Sequence, residues 1–185
     1  CALKYASARL KNDPEVVAAA LMQQPLAIKY ASKAIKNNKA VTLTTVQKNG
    51  LALQYLSKAL KDDKEVVVAA IKQNSCSLQY ASAAIARDEE IALFIVKKDG
   101  LALQYIDSSF KKQKNIVLLA SRQNGLALQY AAFALKRDEE VVTAAVQQNG
   151  LALQYANFDL QSNETIVALA IEQNHKANLY ANNTV

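Results

Sequence analysis

Tyrosine recurs at a fixed interval along this chain of 185 residues. Its eight tyrosines are each separated by 25 residues, with no insertion or deletion: Tyr5, Tyr30, Tyr55, Tyr80, Tyr105, Tyr130, Tyr155 and Tyr180. The four glycines share a second position of the same register: Gly50, Gly100, Gly125 and Gly150. A constant period of this length predicts a repeat protein, in which each unit packs against its sequence neighbours.

The period divides the chain into seven complete repeats and a partial eighth, which together form one predicted domain over residues 1–185. The boundaries are 1–25, 26–50, 51–75, 76–100, 101–125, 126–150, 151–175 and 176–185. Residue 1 is cysteine rather than methionine and begins on a repeat boundary. We therefore expect the chain to be part of a longer protein, and to be monomeric as a fragment.

The repeat predicts two helices. We number its positions as columns 1–25, with Leu126 as column 1 of the sixth copy. Columns 1, 2, 3, 5, 6, 9 and 10 are mostly apolar and fit one broad face of an α-helix, helix A. Columns 16, 17, 20 and 21 form the apolar stripe of helix B. We expect Asp or Asn at column 13 to cap helix B, and glycine at column 25 to end it in a left-handed conformation. The sequence thus predicts an all-α solenoid of two-helix repeats.

The repeat LALQYA…EVV.AAV.QNG, clearest in residues 51–75 and 126–150, resembles a bacterial helical repeat family described only as a domain of unknown function. The resemblance covers essentially the whole chain, and a weaker one is to leucine-rich repeat variants. Members of the family occur in large proteins of intracellular bacteria, some thought to be secreted into host cells. The resemblance implies a bacterial effector context, in the cytoplasm or the host cytosol, and it carries no catalytic residue over.

The composition excludes several classes of function. One histidine, His175, and two cysteines, Cys1 and Cys76, do not supply a metal cluster or a nucleophile with its base. We predict no catalytic residue, no metal site, no cofactor and no enzymatic activity. Two cysteines are too few for a disulfide framework and indicate a reducing compartment. Both stand at column 1, where leucine is usual, so we expect small core residues. The longest apolar run, residues 16–22, is too short to span a bilayer.

Basic residues are concentrated in the first three repeats. Residues 1–75 contain 12 Lys or Arg and 5 acidic residues, whereas residues 76–185 contain 10 and 11. Seven lysines fall in columns 4, 8 and 11, which a helical wheel places on one exposed face: Lys4, Lys11, Lys29, Lys33, Lys36, Lys58 and Lys61. Such a surface attracts phosphate, acidic peptide or anionic membrane, and the alternative is a solubilising face. Lysines without interleaved aromatics or arginine disfavour sequence-specific reading of nucleic acid.

Two polar or aromatic columns are further candidates. Glutamine fills column 4 of five repeats and is predicted to be exposed: Gln54, Gln79, Gln104, Gln129 and Gln154. This row could hydrogen-bond an extended ligand, or it could bond the adjacent repeat or water, which we favour. The tyrosines lie within the apolar arc of helix A. We therefore favour core packing over an aromatic ladder that stacks bases or a peptide.

Two apolar columns break the predicted polar surface. Phe133 and Phe158 occupy the exposed column 8 of adjacent repeats, which indicates a contact surface or a place beneath a missing flanking segment. Column 18 of helix B is predicted to be exposed yet carries aliphatic residues: Leu43, Val68, Leu93 and Leu118. These residues form either a groove for a partner helix or a packing contact between repeats, which we favour.

The pattern of persistent apolar columns and variable polar columns is typical of a scaffold. We predict a non-enzymatic protein–protein interaction module that binds an extended or helical segment along columns 4, 7, 8 and 11. The lysines would favour an acidic partner, and the two phenylalanines would give an apolar anchor. One alternative is sequence-independent binding of nucleic acid or another polyanion through the same lysines. The other is a passive structural spacer.

Overall fold

All regular secondary structure in the computed structural model, which describes residues 2–182, is helical. This confirms the all-α class and the helical-repeat architecture. The chain forms two compact units, divided between Ala86 and Arg87. Cys1, with its predicted core role, lies outside the described residues, as do residues 183–185 at the end of the predicted partial repeat.

The α-helices of the described chain are α1 (Ala8–Lys11), α2 (Pro14–Gln23), α3 (Lys39–Lys48), α4 (Lys58–Lys61), α5 (Lys64–Gln73), α6 (Ala83–Ala86), α7 (Glu89–Lys98), α8 (Lys114–Gln123), α9 (Glu139–Gln148), α10 (Phe158–Gln161) and α11 (Glu164–Gln173). Between them lie 3₁₀ helices at Ala2–Tyr5, Pro25–Tyr30, Ile35–Asn37, Gly50–Tyr55, Ser75–Tyr80, Gly100–Gln104, Phe110–Lys112, Gly125–Tyr130, Phe133–Arg137, Gly150–Tyr155 and His175–Tyr180.

The longer helices confirm helix B and its caps. Each of them has ten residues and starts at column 14, directly after the predicted cap. The column 13 side chain accepts a hydrogen bond from the first turn at Asp13, Asn38, Asp63, Asp88, Asp138 and Asn163. Gln113 takes this position before α8 and makes no side-chain cap bond. The short carboxylate or carboxamide of Asp or Asn is what reaches the free amides.

The prediction of a continuous helix A is wrong. A 3₁₀ helix, Gly50–Tyr55, begins at the last residue of the second repeat and opens the third. Leu56 is then extended at φ −76° and ψ 167°, and α4 follows. The Ser57 hydroxyl accepts a hydrogen bond from the Leu60 amide at 3.3 Å, so column 7 is the N-cap of a new helical segment. Serine at this position competes for backbone amides and favours a helix start over helix continuation.

The left-handed role predicted for the glycines is also wrong, because no glycine of the described residues has a positive φ. The column before each glycine is extended and caps the following 3₁₀ helix: the Asn49 side chain accepts from the Leu51 amide at 3.1 Å. A Cβ atom built on Gly50 would overlap the backbone carbonyl of Ala70 in the next repeat. Glycine is needed here for close approach between repeats.

The core of each unit lies between two layers. The 3₁₀ helices that open successive repeats stack beside one another and pack against the long helices. In the third repeat the buried side chains include those of columns 2 and 3 on one side and of columns 16, 17, 20 and 21 on the other: Ala52, Leu53, Val66, Val67, Ala70 and Ile71. The outer surface of one layer is therefore formed by columns 4, 5 and 8, and that of the other by columns 15, 18 and 22.

Candidate functional site

Within each unit, backbone hydrogen bonds at column 7 join neighbouring repeats. The Ser57 amide donates to the Lys36 carbonyl at 3.1 Å, and the Ser57 hydroxyl donates to the Asn37 side chain at 2.7 Å. Ser32 bonds the first repeat in the same way, through the Lys11 carbonyl and Asn12. These serines are half-buried. Column 7 therefore holds repeats together and is not part of an open binding face, contrary to the prediction.

Glutamine at column 23 clamps the glycine of the preceding repeat. The Gln73 Oε1 atom accepts from the Gly50 amide at 2.6 Å, and Gln123 and Gln148 accept from Gly100 and Gly125 at 2.5 Å. Gln173 makes the same bond to Gly150. These bonds use the glycine amide that a left-handed cap would also use, and no local sequence pattern predicts them.

The glutamine row of column 4 bonds within its own repeat. Each Nε2 group donates to the column 1 carbonyl three residues earlier, at 2.9–3.2 Å, which occurs at Gln54, Gln79, Gln104, Gln129 and Gln154. Gln79 is exposed and the other four are half-buried. The predicted exposure therefore holds fully only at Gln79, and the bonds run to the same repeat rather than to the adjacent one.

Column 11 lysines reach back across the first half of their repeat. The Lys36 Nζ atom donates to the Lys29 carbonyl at 2.7 Å, and Lys111 and Lys136 donate to the Gln104 and Gln129 carbonyls. Burial lowers the pKa of Lys36. Lys11, Lys36 and Lys61 are all half-buried, which corrects their placement on an exposed face. The helix break at column 7 turns this column toward the 3₁₀ helix.

The other four predicted lysines remain exposed and alternate with tyrosines. The Lys4 ammonium lies 5.2 Å from the centre of the Tyr5 ring, and that of Lys29 lies 5.0 Å from the centre of the Tyr30 ring. We name this surface the lysine–tyrosine row, formed by Lys4, Tyr5, Lys29, Tyr30, Lys33, Tyr55 and Lys58. In the sequence, this surface is indicated by adjacent Lys and Tyr residues in the first two repeats.

The prediction that the tyrosines pack in the core is therefore wrong. Tyr5 is 81% exposed and the seven others are half-buried. Tyr30 and Tyr55 end their 3₁₀ helices, and the next residue is extended. No further helical turn therefore covers their rings. Because the tyrosine rings reach the surface, the expectation that no aromatic residues lie between the lysines is also wrong.

The positive charge of the row is not neutralised within its unit. Residues 1–86 contain 12 Lys or Arg and 5 acidic residues. The Lys39 ammonium lies 2.7 Å from both Asp63 and Glu65, and hydrogen bonding to these two carboxylates raises the pKa of Lys39. None of the four lysines of the row forms an ion pair with the described residues. The row is therefore a positively charged, partly aromatic surface.

The second unit has a different exposed surface. Phe133 is 70% exposed and Phe158 59% exposed, at the same column of adjacent repeats. The Arg137 guanidinium lies 5.9 Å from the centre of the Phe133 ring and 3.2 Å from the Asp159 carboxylate. Because the cation is already paired, this patch is apolar with little net charge. Its exposure agrees with the sequence prediction.

Column 18 lies in the grooves between consecutive long helices. Leu43 and Val68 line an open groove of about 440 Å³ between α3 and α5. Thr143 takes the same column in a groove of about 760 Å³ between α8 and α9. Leu43, Val68, Leu93 and Leu118 are half-buried, so the column both packs between repeats and lines an accessible surface.

Comparison with known proteins gives a family. Within residues 2–182, none of the helices has the length and apolar character that crossing a membrane requires. No curated protein and no solved structure matches the chain. One family model matches four times in tandem, over residues 1–36, 38–85, 88–136 and 138–184, so that each match spans about two of the 25-residue repeats. The chain belongs to the family described as Domain of unknown function (DUF4116).

Proposed function

We propose that this domain is a non-enzymatic interaction scaffold, and that the lysine–tyrosine row of residues 1–86 binds an acidic segment of a partner protein. The observation that carries the proposal is the exposed row of lysines without ion pairs, two of which lie over tyrosine rings. Backbone groups and polar side chains on either side are already used to join the repeats. The row is thus a fixed surface on a rigid support, which lowers the entropic cost of binding.

An acidic peptide suits the row better than nucleic acid does. The Lys29 ammonium covers one face of the Tyr30 ring, and that face is therefore not open to a stacking base. An ammonium held over a ring still offers donors to a carboxylate. The cations are lysines, which act as point charges, and not the arginines that recognise phosphate with two parallel bonds.

The test is selection from a displayed library of random 16-residue peptides. The wild-type chain is expected to enrich peptides that are rich in Asp and Glu. The triple variant Lys29→Glu, Lys33→Glu and Lys58→Glu is expected to lose this enrichment and to favour Lys and Arg, because the sign of the row is reversed. All three side chains are exposed or lie over a ring, so the variant should keep the helical circular dichroism of the wild type.

A matched control carries the same kind of change elsewhere. Lys97 and Lys112 are exposed residues of the second unit, and replacing both with Glu reverses charge without touching the row. This variant should enrich the same acidic peptides as the wild type. The proposal fails if the wild type enriches no acidic peptide, or if both variants behave alike. Absence of any enriched peptide would favour the passive spacer.

Nucleic acid is the second candidate, favoured by the alternation of lysines with tyrosines. It predicts that a labelled 20-nucleotide single strand binds the wild type with an affinity that falls steeply as salt is raised. The same triple variant would lose that binding. Tight strand binding in the absence of acidic-peptide enrichment would replace the first candidate with this one.

We further propose that Phe133 and Phe158 form a separate apolar contact on the second unit. Both rings are exposed, and aromatic side chains are enriched at protein–protein interfaces relative to the rest of the surface. In the same selection, replacing both with serine should remove any class of apolar peptides while leaving the acidic class. Retention of both classes would contradict this contact.

A further inference from the structure

A notch opens between α2 and α3, on the opposite layer from the lysine–tyrosine row. It has a volume of about 150 Å³ and is lined by Ala18, Leu21, Met22, Val41, Thr44, Thr45 and Lys48. The lining is mostly apolar, because the hydroxyls of Thr44 and Thr45 bond to backbone carbonyls of their own helix. Met22 at its rim is 62% exposed.

The notch is a consequence of local departures from the repeat. Column 25 is Pro25 here, which has no amide hydrogen for the glutamine clamp to bind. The clamping residue of the next repeat is correspondingly Lys48, whose Nζ atom reaches the Met22 carbonyl at 3.4 Å. Ala18 occupies column 18 of α2, where the next four repeats have Leu or Val, so the side chain at this position is smaller here.

We propose that this notch binds one branched or aromatic apolar side chain of a partner peptide whose neighbouring residues are acidic. An apolar cavity of about 150 Å³ accepts a group the size of benzene, which is close to the side chain of Leu, Ile or Phe. The notch is open at the surface, so a side chain projecting from a bound backbone can enter it.

The positive charge at the rim of the notch indicates that the residues flanking the inserted side chain are acidic. Lys48 stands at the rim, and no carboxylate of the described residues pairs with it. Helix α3 contains no acidic residue, and its other lysine, Lys39, is already paired with Asp63 and Glu65. A carboxylate next to the inserted side chain would meet the Lys48 ammonium, whereas a basic neighbour would be repelled. This inference does not depend on the lysine–tyrosine row, which lies on other columns.

The chain offers a direct probe, because Met22 is its single methionine. The full chain is labelled with ¹³C at the methionine methyl group and titrated with the blocked peptide acetyl-Glu-Leu-Glu-amide. The Met22 methyl signal is expected to move and to saturate at millimolar concentration. Acetyl-Glu-Ala-Glu-amide should bind at least about 10-fold more weakly, because it lacks the side chain that fills the notch.

Two further comparisons test the preference for acidic flanking residues and the location of binding at the notch. Acetyl-Lys-Leu-Lys-amide should leave the signal unmoved in the wild type, and Lys48→Glu should reverse the preference between the two leucine peptides. Thr44→Leu, at an exposed lining position, should block the notch and abolish the shift while the fold is retained. Equal shifts with the leucine and alanine peptides, or no saturable shift with any peptide, would overturn the inference.

Discussion

Replacing Gly125 with alanine is expected to lower the free energy of unfolding by about 3 kcal/mol, toward the upper end for overpacking a well-packed site. The added Cβ would overlap the backbone carbonyl of Ala145, which belongs to a long helix and moves only if the next repeat moves. Such a shift would also strain the bond from the Gly125 amide to Gln148, at 2.5 Å. Chemical denaturation measures the loss.

Two further variants separate the effect of the steric overlap from the effect of the lost hydrogen bond. Gln148→Ala removes the clamp without a clash and should cost about 1 kcal/mol, the usual net value of a hydrogen bond. Ser75→Ala changes a residue of the same column that already has a Cβ, so its effect should be much smaller. If Gly125→Ala unfolds at the same denaturant concentration as the wild type, the close approach between repeats is not as described.

The second large effect concerns the division of helix A. Leu128→Ala is expected to cost about 3 kcal/mol, as is typical for emptying a core leucine, because Leu128 is fully buried at column 3. Leu126→Ala at column 1 should cost only about 1 kcal/mol, because that side chain is half-buried. Both residues lie in the 3₁₀ helix Gly125–Tyr130.

The comparison is informative because the two leucines are alike in sequence. A continuous α-helix with one broad apolar face would bury columns 1 and 3 to similar extents. The 3₁₀ helix instead turns column 1 partly outward. Equal losses of stability for the two variants, measured by chemical denaturation, would contradict the divided helix and favour the continuous one.

The features predicted correctly from sequence are those in which a residue type at a given position has a single common structural role. The repeat follows from the spacing of Tyr and Gly, and the start of every long helix but α8 follows from Asp or Asn at column 13. Local capping chemistry depends on few neighbours and so can be recognised without a structure.

The predictions that are wrong concern residues with two common structural roles, between which the sequence alone does not decide. Ser57 was interpreted as a polar position on a helical face, although serine before a short helical segment is also an N-cap. The equivalent break at Ser32 is not apparent on a helical wheel, and Lys36 and Tyr30 are therefore predicted on the wrong surfaces. Gly50 and Gln73 are 23 residues apart, and their bond is a contact between repeats that a helical wheel does not contain.

The central claim, that the lysine–tyrosine row is the binding surface of residues 1–86, is tested most directly by mapping where a ligand sits. The measurement is the backbone amide chemical-shift change on adding the acidic peptide that the wild type enriches most, made on the full chain carrying Thr44→Leu so that the notch between α2 and α3 is blocked. The account predicts the largest changes at residues 4–5, 29–33 and 54–58. Changes concentrated on the long helices, at residues 40–48 and 64–73, would contradict it.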